Sequence, residues 1–187
     1  MQDFIKMIKG SPVVASVAEL ARLNAAVRSP CEIIFLLRGS ILNIQESVQR
    51  VHEAGKMVLI HFDLVDGFSR DISALKYIKQ EVNPDGIITT RANLIKHAQE
   101  LGLNTIQRVF MLDSLSVESA IRSISSTQPT AIELLPGVIP RVLQQVSQET
   151  QVPIIAGGLI ESKADIIAAL QAGAVGISAT KEELWYL

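Results

Sequence analysis

The residues of this sequence best suited to chemistry fall in two glycine- and hydroxyl-bearing stretches. Ile154-Ile155-Ala156-Gly157-Gly158 ends one apolar run and Gly176-Ile177-Ser178-Ala179-Thr180 ends the next. Paired glycines let a backbone approach an anion closely, and amides near a helix start supply donors backed by a favourable dipole. Ser178 and Thr180 add hydroxyl groups. Gly157, Gly158, Ser178, Ala179 and Thr180 therefore form a candidate phosphate cradle. A tight turn and a serine cap would use the same residues, but two matching loops in succession favour the cradle.

A second group lies in His61-Phe62-Asp63-Leu64-Val65-Asp66-Gly67. Strand alternation would put Leu59, His61 and Asp63 on one side, with imidazole and carboxylate pointing together. Such a pair can bind a metal, exchange protons or hydrogen-bond hydroxyls. The motif resembles the metal-binding strand of pentulose-phosphate epimerases, yet further ligands are missing. The other two histidines, His52 and His97, fall on helices. No metal or other cofactor is expected. Asp63 and Asp66 remain candidates for hydroxyl recognition, with plain structural hydrogen bonding as the alternative.

Three more charges stand in or beside apolar runs: Arg38, Arg108 and Glu133. A buried unpaired charge is costly, so Arg108 and Glu133 must either pair with each other or be completed by a ligand. Arginine would suit a phosphate or carboxylate. Pro136-Gly137 follows the run holding Glu133; Gly137 either approaches a ligand or simply turns the chain. No nucleophile stands out. Cys31 precedes a strand, no lysine lies inside one, and Lys181 comes just after the last, so catalysis is not expected.

These groups need a scaffold that brings strand ends together. Apolar runs begin near Val13, Ile33, Met57, Gly86, Thr105, Ala131, Pro153 and Ala174, about 20 to 30 residues apart, with no hairpin turn between neighbours. Continuous rather than alternating apolar strands suit a parallel sheet covered on both faces, and parallel neighbours require crossover connections. The intervening segments are amphipathic. Ile44 to Ala54 places Ile44, Val48 and Val51 on one face, and Ile72 to Val82 does the same with Ile72, Leu75, Ile78 and Val82. Gly55, Gly102 and Gly173 stand where helices should stop. The pattern predicts a (β/α)8 barrel spanning residues 1–187 as a single domain. Such barrels usually have about 200 residues or more, so the last helix must be short: only Lys181 to Leu187 follow the eighth strand. A doubly wound open sheet is less apt, because no glycine-rich loop follows Val13 to Val17.

Composition narrows the function classes. Hydrophobic residues make up 48% of the 187, which excludes a disordered chain, and no apolar run approaches the roughly 18 residues of a membrane span. No leader pattern opens the sequence and a single cysteine allows no internal disulfide, so a cytoplasmic location is expected. The net charge of -2 means that a nucleic-acid partner must be met by a local basic patch. Arg22, Arg28, Lys76 and Lys79 read as solvated helix faces.

Taken together, the segments resemble the glycerol-3-phosphate-responsive antiterminators, regulators of bacterial glycerol uptake operons. The resemblance is carried by Ile34-Phe35-Leu36-Leu37-Arg38-Gly39, His61-Phe62-Asp63-Leu64-Val65-Asp66-Gly67, Asp85-Gly86-Ile87-Ile88-Thr89-Thr90, Thr105-Ile106-Gln107-Arg108, Ala131-Ile132-Glu133-Leu134-Leu135-Pro136-Gly137 and Pro153-Ile154-Ile155-Ala156-Gly157-Gly158. It implies a barrel that binds glycerol 3-phosphate and an mRNA leader, permitting read-through of a terminator, without catalysis or a membrane partner. It leaves room for a homo-oligomer. It also implies a lysine after the fourth strand, where this chain has Arg91. A phosphosugar isomerase, epimerase or lyase on the same scaffold is the alternative.

Overall fold

In the computed structural model, which describes residues 2–187 (side chains from Phe4 on), the apolar runs become eight parallel strands. They are β1 (Val13–Val17), β2 (Ile33–Leu36), β3 (Met57–His61), β4 (Gly86–Thr89), β5 (Asn104–Phe110), β6 (Ala131–Leu135), β7 (Ile154–Gly157) and β8 (Gly176–Ala179). Each pairs with its sequence neighbours, and β1 pairs with β8 through Val13–Ile177, Val14–Ser178 and Ala15–Ala179, closing the barrel. All eight strand ends therefore share one mouth. The expected starts hold within a residue or two; β5 begins one residue earlier and β8 two later.

Helices cover the outside. After the first strand come a 3-10 turn (Leu20–Arg22) and α2 (Leu23–Arg28); further round are α3 (Ile44–Glu53), α4 (Ile72–Tyr77), α5 (Ala92–Glu100), α6 (Ser114–Thr127), α7 (Pro140–Glu149) and α8 (Lys163–Gln171). Local chemistry starts them where the strands stop. Asp113 and Ser116 form a capping box on α6, Ser162 and Asp165 another on α8, and Pro140 opens α7. The helix expected as continuous from Ile72 to Val82 changes to a π-turn at Ile78–Val82 and stops at Asn83, in the left-handed region. The barrel closes at this length because α2 has only 6 residues and the last helix shrinks to a 3-10 turn, Glu182–Tyr186.

One element was not expected from the sequence. Helix α1 (Gln2–Gly10) packs Phe4 and Ile8 into the end of the barrel opposite the mouth, against Val14, Ile33, Phe35, Leu59, Ile88, Ile106, Ala131 and Ile155. Those eight are the inward-facing residues of this layer. Gly176 leaves room for the plug, since a Cβ there would strike the Ile8 side chain. Two positions further along the strands the layer changes character. Val14 gives way to Ser16, Leu59 to His61, Ile106 to Arg108, Ala131 to Glu133 and Gly176 to Ser178, because inward residues recur with period two. The barrel interior is thus apolar at the plugged end and polar beneath the mouth.

Candidate ligand site beneath the barrel mouth

The polar layer is organised around one carboxylate. Arg108 and Glu133 are register partners on β5 and β6, and Arg108 Nε donates to Glu133 Oε2 at 2.6 Å. Glu133 Oε1 accepts a 2.5 Å hydrogen bond from Ser178 Oγ, reaching across from β8. The Glu133 side chain is 2% exposed and that of Arg108 10%, so the charges compensate each other out of bulk water. Gly157 makes this crossing possible: a Cβ there would lie 2.8 Å from Glu133 Oε1. Among the described residues Arg108 uses only Nε in hydrogen bonds, leaving its Nη donors available.

Above this network lies a cleft of about 110 Å³. Its floor is Ser16, Arg108, Glu133 and Ser178, and its walls are Leu37, Leu135, Gly158, Leu159, Ile160 and Thr180. Gly158 and Leu159 both hold left-handed backbone conformations, with φ of +73 and +61. The cleft continues into a wider depression of about 430 Å³ that shares Leu159, Ile160 and Thr180 and adds Arg22, Glu161 and Lys181. Lys181 Nζ lies 3.3 Å from the Glu161 carbonyl oxygen and 3.6 Å from the Glu183 carboxylate. Arg22 makes no ion pair among the described residues. An inner polar floor thus opens onto an outer rim bearing two cations.

Two buried polar atoms have no hydrogen-bond partner among the described residues: Ser16 Oγ and His61 Nδ1. Both belong to the polar layer, and Ser16 lines the cleft. Burial and the nearby Arg108 charge, opposed by Asp63, push the His61 pKa down to about 4, so the ring is neutral at pH 7.

The residues singled out in the sequence fall into three groups. Gly158, Ser178, Thr180, Arg108 and Glu133 surround the cleft, with Gly157 and Ala179 in the strands beneath it. Gly137 belongs to the support: its N–H donates to the Gly157 carbonyl oxygen at 2.6 Å, and a Cβ on it would lie 2.7 Å from Gly157 N. Asp63, Asp66 and Arg38 lie outside the cleft lining. The expected side-by-side placement of His61 and Asp63 does not hold, because β3 ends at His61 and a 3-10 turn (Phe62–Leu64) breaks the alternation. Asp63 turns instead to the end of β4, accepting from Thr89 Oγ1 at 2.8 Å, Thr90 N at 2.7 Å and Thr90 Oγ1 at 3.0 Å. Arg91 Nε stands 3.7 Å from the same carboxylate, and Arg70 donates to the Asp63 carbonyl oxygen. Asp66 and Arg38 are exposed, Asp66 on a two-stranded ribbon formed by Gly39–Ser40 and Val65–Asp66.

Ser16 and Arg22 were not recognised from the sequence. Ser16 interrupts an apolar run two residues after Val14, a signal that acquires meaning only once the barrel defines the inward face. Arg22 follows the end of β1 by five residues, close enough to serve the mouth as well as a solvated surface.

The model of the glycerol-3-phosphate responsive antiterminator family matches residues 13–185. A structure of the glycerol uptake operon antiterminator regulatory protein from Listeria monocytogenes superposes with a TM-score of 0.90 at 32% identity, covering 94% of this chain and 95% of that one. A glycerol uptake operon antiterminator-related protein from Thermotoga maritima gives 0.82 at 27% identity, covering 92% and 96%. An uncharacterised Escherichia coli protein, YgcP, is 36% identical over 98% of this chain and 96% of its own length. Enzymes 10–16% identical share the barrel fold, among them the N-acetylmannosamine-6-phosphate 2-epimerase from Clostridium perfringens, at 13% identity and a TM-score of 0.70.

Proposed function

The chain belongs to the glycerol-3-phosphate responsive antiterminator family, and we propose that it is a ligand-gated regulator that binds glycerol 3-phosphate in the cleft beneath the barrel mouth and then an mRNA leader, permitting read-through of a terminator in a glycerol-utilisation operon. The observation that carries the ligand half is the polar floor under a rim that holds Arg22 and Lys181. Gly158 and Thr180 border the opening, and Arg22 and Lys181 stand where a phosphate would gain charge compensation. Loops after the seventh and eighth strands are the usual phosphate site of this fold. The cleft is small, as a ligand of a few carbons requires. Family membership supports the RNA half.

A regulatory rather than catalytic role is favoured by how the ionisable groups are engaged. Both Glu133 oxygens are already hydrogen-bonded and Asp63 is held by the end of β4, so neither carboxylate offers a free oxygen to a ligand in the cleft.

Thermal unfolding tests the ligand half. A ligand that binds only the folded state stabilises it by mass action. Glycerol 3-phosphate should raise Tm, glycerol should not, and Gly158→Val should abolish the shift by straining a left-handed backbone and crowding the cleft. Equal stabilisation by glycerol would overturn the reading.

A further inference from the structure

The cleft is asymmetric in charge, and that asymmetry fixes which end of a ligand it can accept. At its inner end stands Glu133, 2% exposed and already carrying the negative charge that balances Arg108. A second anionic group pushed to that depth would meet an ion pair whose charges already cancel, leaving its own charge out of bulk water without a counter-ion, which is costly. Ser16 Oγ stands at the same depth. It is 2% exposed, lines the cleft and has no hydrogen-bond partner among the described residues. A buried hydroxyl without a hydrogen bond costs free energy, which a ligand supplying the partner would recover. His61, in the same layer, holds a second unpartnered atom on a neutral ring. At the outer end cations are at hand: Arg22, without an ion pair among the described residues, and Lys181 stand on the rim, beside Glu161 and, for Lys181, Glu183.

We propose that the inner end of the cleft is a subsite for an uncharged, hydroxyl-bearing group, with Ser16 hydrogen-bonding a ligand hydroxyl and Glu133 excluding a carboxylate, while the phosphate stays at the rim. The proposal rests on the reading of the cleft as a phosphorylated-polyol site and deepens it into a rule of selectivity. A three-carbon phosphate with a terminal hydroxyl fits; the same skeleton with a terminal carboxylate does not. Ser16 is a specificity-determining residue, and its removal carries an unusual signature. Ser16→Ala takes away a hydroxyl with no protein hydrogen-bond partner among the described residues, so the free protein should lose no stability. Ligand binding alone should suffer.

Calorimetric titration of the full chain with glycerol 3-phosphate and 3-phosphoglycerate tests this, alongside Tm of the unliganded proteins. Glycerol 3-phosphate should bind at least about 100-fold more tightly than 3-phosphoglycerate. Ser16→Ala should weaken glycerol 3-phosphate roughly 3- to 10-fold, the worth of one hydrogen bond, without lowering the unliganded Tm. Glu133→Gln should narrow the gap between the two ligands, because Arg108 is then released to meet the carboxylate. Comparable affinity of the parent for both ligands, or unchanged affinity in Ser16→Ala, overturns the inner subsite while leaving the phosphate site standing. Failure of the parent to bind either ligand overturns the phosphate site and the inner subsite together.

Discussion

Arg108 and Glu133 face each other across the β5–β6 ladder, Nε to Oε2 at 2.6 Å, and Ser178 completes the carboxylate from β8, two strands away. This arrangement lets one buried charge pair serve two ends. It ties three strands together at the level where the apolar core stops, and it leaves the Arg108 Nη donors available to the cleft. Burying both charges costs desolvation that their attraction offsets only while both are present.

Removing one partner should therefore be far worse than removing both. Glu133→Ala leaves Arg108 as an uncompensated buried cation and should cost about 3 to 5 kcal/mol. The double variant Arg108→Met with Glu133→Leu should recover most of that loss, since apolar side chains of similar volume often replace a buried pair at little cost. Urea denaturation of the parent, the single and the double variant measures both. A single variant as stable as the parent would mean that water reaches the pair.

Much of this architecture is legible in the sequence because the barrel buries both faces of each strand. Ile33 to Leu36, Met57 to Ile60 and Ile154 to Gly157 are then continuous apolar runs that need no alternation to be found. Arg108 and Glu133, charges inside consecutive strands, could be read either as a pair or as a ligand site, and the β5–β6 register makes them partners. Helix α1 could not be placed the same way. Its Phe4 and Ile8 are four apart, as on any amphipathic helix, but their partners come from seven of the eight strands and no local pattern encodes that. Asp63 was misplaced for a local reason: the 3-10 turn at Phe62–Leu64 ends the strand alternation one residue after His61. Ser16 carries no signal until closure of the barrel decides which side is inside.

The join between the sixth and seventh loops gives a second expectation. A Cβ on Gly137 would lie 2.7 Å from Gly157 N and 2.9 Å from Ala156 Cβ, so the backbones must part to admit it. Gly137→Ala should destabilise the protein by about 1 to 3 kcal/mol, the usual cost of overpacking, and should also reduce stabilisation by glycerol 3-phosphate, because Gly158 moves with its neighbour. Gly10→Ala, with nothing within 4 Å of the added methyl, is the matched control and should be near neutral. Thermal scans of both with and without ligand read the two effects.

His61 predicts a pH dependence. Burial, aided by the Arg108 charge, lowers its folded-state pKa from 6.5 to about 4. Between those values the unfolded chain binds the proton and the folded chain does not, so stability rises with pH across that window and is lost as pH falls through it. The loss attributable to His61 should reach about 3 kcal/mol by pH 4. Denaturation midpoints of the parent and of His61→Gln between pH 4 and 7 isolate it, because the remaining carboxylates titrate in both proteins. Parallel profiles would show that the ring is more hydrated than its 2% exposure implies.

The last expectation concerns RNA. With a net charge of -2, binding must draw on local cations, and phosphate contacts make such affinity fall steeply with salt. Arg91 stands beside the Asp63 carboxylate, which joins the loop after β3 to the end of β4, while Arg70 donates to the Asp63 carbonyl oxygen, so two mouth cations meet at this junction. Ligand can favour RNA binding only by holding a conformation that RNA prefers. Glycerol 3-phosphate should then tighten binding to the leader RNA by roughly 5- to 150-fold, and the RNA should tighten ligand binding by the same factor. Asp63→Ala should keep the barrel, whose core it does not enter, but lose that coupling by freeing the two loops. Gel-shift titrations with and without ligand, at two salt concentrations, measure the coupling and the number of phosphate contacts together. Equal RNA affinity with and without glycerol 3-phosphate would sink the ligand-gated reading even if the protein bound RNA tightly. Full coupling retained in Asp63→Ala would place the moving parts elsewhere on the mouth, in the loops after β6 and β8.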